Sequence, residues 1–304
     1  MWLLQQTTFG RIIGRVEFGG VRLISRLCGS LFLSRPIVKR MKTQKTKAFA
    51  ILVLIVCSAC ESRLRATDTR STALSPVLVE LFTSEGCSSC RPADVFLQKM
   101  DAAQPIPGAE LIVLSEHVDY WNHDGWKDPY SSSLLTERQS AYVRALGLPT
   151  PYTPQIIVDG TKELKLNDPQ QVAQFFAKAA DTLAIPVRIG AASVQTGAPS
   201  ILRAHVDIDG ALEKHNAEIY AVVALDHAES EVLHGENGGR HLAHVAVVED
   251  LTRIGKLEKG KSFGNDFQLQ LKPGTDPENL RIIVFVQEAG PGKVVGAALK
   301  KSIH

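Results

Sequence analysis

The folded part of this 304-residue chain is short of cysteine. Five cysteines are present, but Cys28, Cys57 and Cys60 fall in an N-terminal stretch that reads as targeting sequence, which leaves only Cys87 and Cys90. A single close pair excludes a small disulfide-stapled scaffold, and the lack of a second Cys-x-x-Cys excludes a four-cysteine zinc site. Charge of one sign is also missing. The formal net charge is +2, charged residues are 22% of the chain, and neither a basic stripe nor a glycine-rich phosphate loop occurs. Nucleic acid is therefore not an expected partner, and no cofactor is expected. Internal repeats and low-complexity tracts are absent as well.

Long apolar runs are scarce. The run from Ala48 to Val56 follows Lys42, Lys45 and Lys47 and precedes small residues, the order of a secretory signal beginning at Met41. It is too short for a comfortable membrane span. Ser58-Ala59-Cys60 resembles a bacterial lipoprotein cleavage box with Cys60 as the lipidated residue, although Cys57 stands where such boxes carry Leu or Val; simple cleavage after Ala59 is the alternative. Either way the expected location is secreted or periplasmic, with membrane contact only through an N-terminal lipid. Residues 1–40 read as a start assigned too far upstream. Their Arg11, Arg15, Arg22, Arg26 and Arg35 against the single acid Glu17 also fit an organellar transit peptide. Residues 61–76 are polar and aperiodic, as a tether is.

The most informative string is VELFTSEGCSSCRPADVFL. Val77 to Phe82 is apolar enough for a buried strand, whereas Ala93, Phe96, Leu97 and Met100 recur at helical spacing. Cys87 and Cys90 thus stand where a strand hands over to a helix, and a helix N-terminus stabilises a thiolate. The pair reads as a redox-active disulfide, with Cys87 the attacking and more exposed thiol and Cys90 the resolving one. The pattern continues with a strand over 110–116, a helix over 134–146, a strand over 155–158, a hairpin partner over 162–166 and a helix capped by Asp168.

That order, with the cysteines after the first strand and Thr153-Pro154 before the third, resembles the thioredoxin fold. The resemblance implies a cis Thr153-Pro154 bond beside the cysteines and a substrate backbone held there. From Ile185 the pattern becomes short alternating strands such as LRAHVDI, IYAVVALD and RIIVFVQ, which predict a β-sandwich. The expectation is an α/β thioredoxin-like domain over 77–184 followed by an all-β sandwich domain over 185–304.

VELFTSEGCSSC, HVDYWNHDGWKDP, LTERQSAYVRAL, YTPQIIVDG and GENGGRHLAHVAVV together resemble one bacterial family, that of domain of unknown function 1223, over nearly all of residues 78 to 248. The family offers a motif set more readily than an activity. Within HVDYWNHDGW, His117 and Asp119 fall at the carboxyl end of a strand, where ligands collect in open α/β sheets. His117 there either exchanges protons with Cys87 or fixes the loop, and Trp121 either forms a substrate platform or is core. The site set is Cys87, Cys90 and His117 for chemistry and Thr153, Pro154 and Trp121 for substrate. An alternative assigns Cys87, Cys90, His117, Asp119 and His123 to a soft, copper-like metal site. The polar turn from Asn237 to His244 is expected to face the cysteines and narrow access to them. These readings converge on an exported thiol-disulfide oxidoreductase acting on protein or small-thiol disulfides; the alternatives are a metal carrier and a noncatalytic interaction module with a permanent disulfide.

Overall fold

The computed structural model describes residues 74–304, apart from 182, 183, 211, 213–215, 302, 304 and the side chain at 169. The expected signal, lipidation site and most of the tether lie outside the described residues. Within them the chain runs β1 (Ser75–Thr83), α1 (Arg91–Ala103), β2 (Ala109–His117), α2 (Ser133–Ala145), β3 (Gln155–Val158), β4 (Lys162–Leu164) and α3 (Pro169–Ala180). It continues with β5 (Val187–Gln195), β6 (Ile201–Ile208), β7 (Ala217–Val232), β8 (Arg240–Leu257), β9 (Phe263–Gln270), a 3-10 turn at Pro277–Asn279, β10 (Leu280–Glu288) and β11 (Val294–Lys300).

The arrangement of these elements corrects the expected fold. There is no thioredoxin-like domain followed by a separate sandwich. Eight strands form one mixed sheet in the order β11-β10-β7-β8-β2-β1-β3-β4, and β5-β6-β9 form a second, three-stranded sheet. Strands from both sides of residue 184 thus share a sheet. β1 and β2 pair in parallel from Ser75–Ala109 to Thr83–His117, and β2 meets β8 in parallel at Ser115–Val247. Hydrophobic alternation reports which face of a strand is buried but not which neighbour takes its edge, so the pattern after residue 185 is equally legible as a separate sandwich or as an extension of the first sheet.

Alternation along β1 sorts the core. Val77, Val79 and Leu81 pack with Ala93 and Leu97 of α1 and Val172 and Phe176 of α3. Leu78 joins Ile112, Leu114 and Leu135 with Val222, Ile283 and Phe285 of β7 and β10. The small sheet closes a third core, Leu202, Val206 and Leu269 against Ile219, Val223, Ile282 and Val284. Among the described residues no helix is long and apolar enough to cross a membrane.

Two buried arginines fasten the early strands to the late ones. Arg138 of α2 donates to Glu80 of β1 at 2.7 Å and to Tyr142 at 2.9 Å, and Gln287 of β10 joins the same group through Tyr142. Neighbouring Glu116 has its carboxyl held well above the usual range by burial and by the Glu80 charge, with Arg138 acting in opposition. Arg281 of β10 is fully buried and grips Asp101 of α1 with two bonds of 2.9 and 3.0 Å, while its Nε donates to Asp226 of β7 at 2.7 Å.

Without Asp101 the buried Arg281 keeps Asp226 but loses the partner of its Nη1 and one partner of its Nη2. Asp101→Ala is therefore expected to lower the unfolding free energy by about 3 kcal/mol in a denaturant titration at neutral pH. Burial alone would raise the Asp101 carboxyl, but Arg281 and Lys301 hold it below its ordinary value. Its contribution is accordingly present above the unfolded-state carboxylate value and is lost as pH falls through the lower folded one, so wild type and variant should converge in acid.

Candidate functional site

β1 ends at Thr83, and the chain turns through Ser84, Glu85 and Gly86 into the cysteines. Cys87 N donates to Ser84 O at 3.1 Å, Cys90 N to Cys87 O at 3.2 Å, and Cys90 O then accepts from the amides of Ala93 and Asp94 as α1 begins. Cys90 is the residue capping α1, and Pro92 sits in its first turn, where a missing amide costs nothing. Cys87 and Cys90 form a disulfide with their Cα atoms 5.5 Å apart. Each is only 1% exposed, so in this oxidised form Cys87 is not the more accessible of the two.

The predicted substrate residues gather on one side of this turn. A Cβ placed on Gly86 would lie 2.9 Å from Trp121 Cβ, so only glycine lets the tryptophan pack there. Trp121 Nε1 donates to Thr153 Oγ1 at 2.8 Å, and the Thr153-Pro154 bond is cis. Trp126, from the same loop, donates to Glu85 Oε2 at 2.8 Å.

His117 is placed differently. Its Nδ1 meets Asp128 Oδ2 at 2.7 Å, its ring stands edge-on to His244 at 4.7 Å, and among the described residues it bonds to neither sulfur. Asp128 also accepts from Glu85 N and Tyr130 N, each at 2.9 Å. Burial alone would raise its carboxyl, but His117 and these amides hold it below the ordinary value. His123 is exposed beside Asp124, and Asp119 is tied to Thr136 at the start of α2. The alternative metal set is therefore not assembled, and among the described residues no group of three or more His, Cys, Asp or Glu side chains is arranged to hold a metal.

Behind the cysteine turn lies a buried set that the sequence does not assemble, although His244 ends the polar turn expected to face the cysteines. His244 of β8 has Nε2 3.5 Å from Glu85 Oε1 and Nδ1 3.7 Å from Asp94 Oδ1, distances of charge contact rather than hydrogen bonding. Burial alone would lower the imidazole; the two carboxylates outweigh it and push it up to about 9. Asp94 stands one helical turn after Cys90 and accepts from Thr83 Oγ1 at 2.9 Å. A cavity of about 250 Å³ opens beside the set, lined by Arg91, Asp94, Val95, Gln98, His241 and His244.

The turn between β7 and β8 covers the cysteine loop. Asn237 Nδ2 donates to Glu85 O at 2.8 Å and Cys87 O at 3.2 Å, and Ser88 N donates to Glu236 Oε2 at 3.0 Å. Part of the expected turn, Asn237 and His244, thus faces the cysteines, whereas Arg240 and His241 are exposed. His244 is legible in the sequence as the end of the polar turn in GENGGRHLAHVAVV, whereas Asp128 carries no spacing signal.

Residues 78–287 match the family model described as protein of unknown function (DUF1223). The chain belongs to this family. Among solved structures, the DUF1223 chain is similar to an Agrobacterium tumefaciens protein whose crystal structure came from a structural genomics consortium. The two are 27% identical, the match covers 74% of this chain and 94% of that one, and the TM-score is 0.57. It is also similar to HBP35 of Porphyromonas gingivalis, at 15% identity, 75% coverage of each chain and a TM-score of 0.56, a likeness of fold alone. No curated protein matches the sequence.

The His244 contacts carry a pH signature. An imidazole raised from 6.5 to about 9 contributes stability that is fully present below 6.5 and lost as pH rises through 9. His244→Gln should cost about 3 kcal/mol in denaturant titrations near pH 6, because it leaves the buried Glu85 and Asp94 carboxylates without the cation between them. The gap should close progressively towards pH 10.

Proposed function

We propose that this DUF1223 protein is an exported thiol-disulfide oxidoreductase that works on protein or small-thiol disulfides through Cys87 and Cys90. The observation that carries the reading is the disulfide itself, held at the first turn of α1, where unpaired amides and the helix dipole favour a thiolate. In the reducing direction the Cys87 thiolate attacks a substrate disulfide, forming a mixed disulfide and expelling one substrate thiolate. Cys90 then attacks Cys87, restoring the internal bond and releasing the second substrate sulfur. Two electrons pass to the substrate, and two protons follow onto its sulfurs.

Trp121 and Thr153, bonded to each other beside Gly86, form the wall along which the substrate chain lies. Asp94 and His244 are titratable groups close behind Cys90 for proton traffic, and His117 orients the site through Asp128 rather than acting on a sulfur. Export follows from the lysines and apolar run after Met41, with Cys60 lipidated or Ala59 the cleavage point.

A second reading, a binding module whose disulfide stays closed, draws on the 1% exposure of both cysteines. Trapping separates the two. In the exported chain, Cys90→Ser should accumulate mixed disulfides with partner molecules on non-reducing electrophoresis, while Cys87→Ser accumulates few, because only the former loses the resolving step alone. Equal trapping by both variants, or none, favours the module.

A further inference from the structure

The Ser88 amide stands next to Cys87 in the chain, and it is spent on a carboxylate from the other end of the fold. Glu236 Oε2 accepts from it at 3.0 Å, and neighbouring Asn237, 1% exposed, holds the carbonyls of Glu85 and Cys87. The chain reaches this position tightly. Gly235 has φ of +78°, and a Cβ there would lie 2.9 Å from Asp124 O and 3.3 Å from Trp126 Cβ. The outer part of the turn is free, with Leu233 67% exposed.

In the disulfide form the Cys87 sulfur is neutral, and a carboxylate on the adjoining amide meets no opposing charge from it. Reduction changes this. A dithiol gives up two electrons and two protons and becomes a disulfide, the Cys87–Cys90 bond breaks, and each sulfur takes a proton. When Cys87 then ionises to solvent, an anion stands on the residue next to the Ser88 amide that the Glu236 carboxylate occupies, and the two negative charges oppose each other.

We propose that Glu236 is a charged latch on the cysteine pair: it holds the β7–β8 turn on the Ser88 amide while Cys87 and Cys90 are bonded, and it opposes the Cys87 thiolate once they are reduced, so that reduction releases the turn. This rests on the pair being redox-active. The other charged groups around the pair are Glu85 in its own turn, Arg91 and Asp94 of α1, His117 and Asp128 at the end of β2 and its loop, and His244 of β8. All of them are common to wild type and a Glu236 variant, so the comparison isolates one carboxylate. Glu236→Gln suits this purpose because its amide oxygen still accepts from Ser88 N while the charge is gone.

The test uses the full chain, reduced with dithiothreitol, and follows the pH dependence of iodoacetamide labelling at Cys87 by peptide mass spectrometry. Glu236→Gln should lower the midpoint by about half a pH unit, Glu236→Asp should stay near wild type, and high salt should shrink the difference. Hydrogen exchange at residues 233–239 should accelerate on reduction in wild type and much less in Glu236→Gln. Equal midpoints in wild type and Glu236→Gln overturn the latch. So do a Glu236→Asp variant that behaves as Glu236→Gln, exchange indifferent to redox state, and a pair that dithiothreitol leaves oxidised in the folded chain. Failure of Cys90→Ser to trap partners, with the labelling and exchange shifts intact, overturns the exchange activity and leaves the latch standing.

Discussion

The parallel junction of β2 with β8, at Ser115 and Val247, is the contact on which the rest of the molecule depends. β2 already spends one edge on β1 along its whole length. Its other edge, left open, would present a row of unpaired amides and carbonyls. β8 takes that edge near its cysteine end. β8 is also long, 18 residues, and turns at Ala246, whose φ of 51° is left-handed, beside the paired Val247. The segment before this point therefore leaves β2 and runs with β7 towards the cysteines, which is how a hairpin tip from the second half of the chain comes to lie on a loop from the first.

The two buried arginines show how this docking is made specific. A guanidinium in the interior is tolerable only with its charge and donors matched. Arg138 finds its match in Glu80, Tyr142 and Gln287, and Arg281 in Asp101 and Asp226. Each half supplies its own arginine with a carboxylate, and a further partner comes from the other half, Gln287 for Arg138 and Asp101 for Arg281. Apolar packing between the halves supplies the driving force, while these ions penalise any other register.

How much of this is legible in the sequence follows from the range of each interaction. Strand β1, the cysteine turn and helix α1 are visible because apolar period and the Cys-x-x-Cys spacing are local, and their observed limits lie close to those read from residues alone. The neighbour of each strand is not local. VRIGAASV to RIIVFVQ reads as a sandwich of its own, yet β7, β8, β10 and β11 continue the first sheet. The same limit applies to the site. His117 is visible at a strand end, but its partner Asp128 is fixed only by the path of an irregular loop, and His244 meets Glu85 and Asp94 only because β8 docks on β2.

The charges around the cysteines pull in opposite directions, and the balance is informative. The first turn of α1 favours an anion at Cys87, as does Arg91 next to Cys90, whereas Glu85, Asp94 and Glu236 are acids nearby. His244, raised to about 9 and so protonated at neutral pH, offsets one of the two buried carboxylates it touches. A bonded pair carries no charge of its own, so in the disulfide form the His244 contacts with Glu85 and Asp94 act on stability alone. A cysteine pair that opens gains up to one negative charge beside the helix, and then each of these groups matters: the imidazolium by drawing off field from Glu85 and Asp94, the Glu236 carboxylate by being able to leave. Glu85 and Asp94 are buried against His244 and cannot move away, whereas Glu236 is exposed and held on the Ser88 amide, so of these acids it is the one free to respond to a change of charge at Cys87.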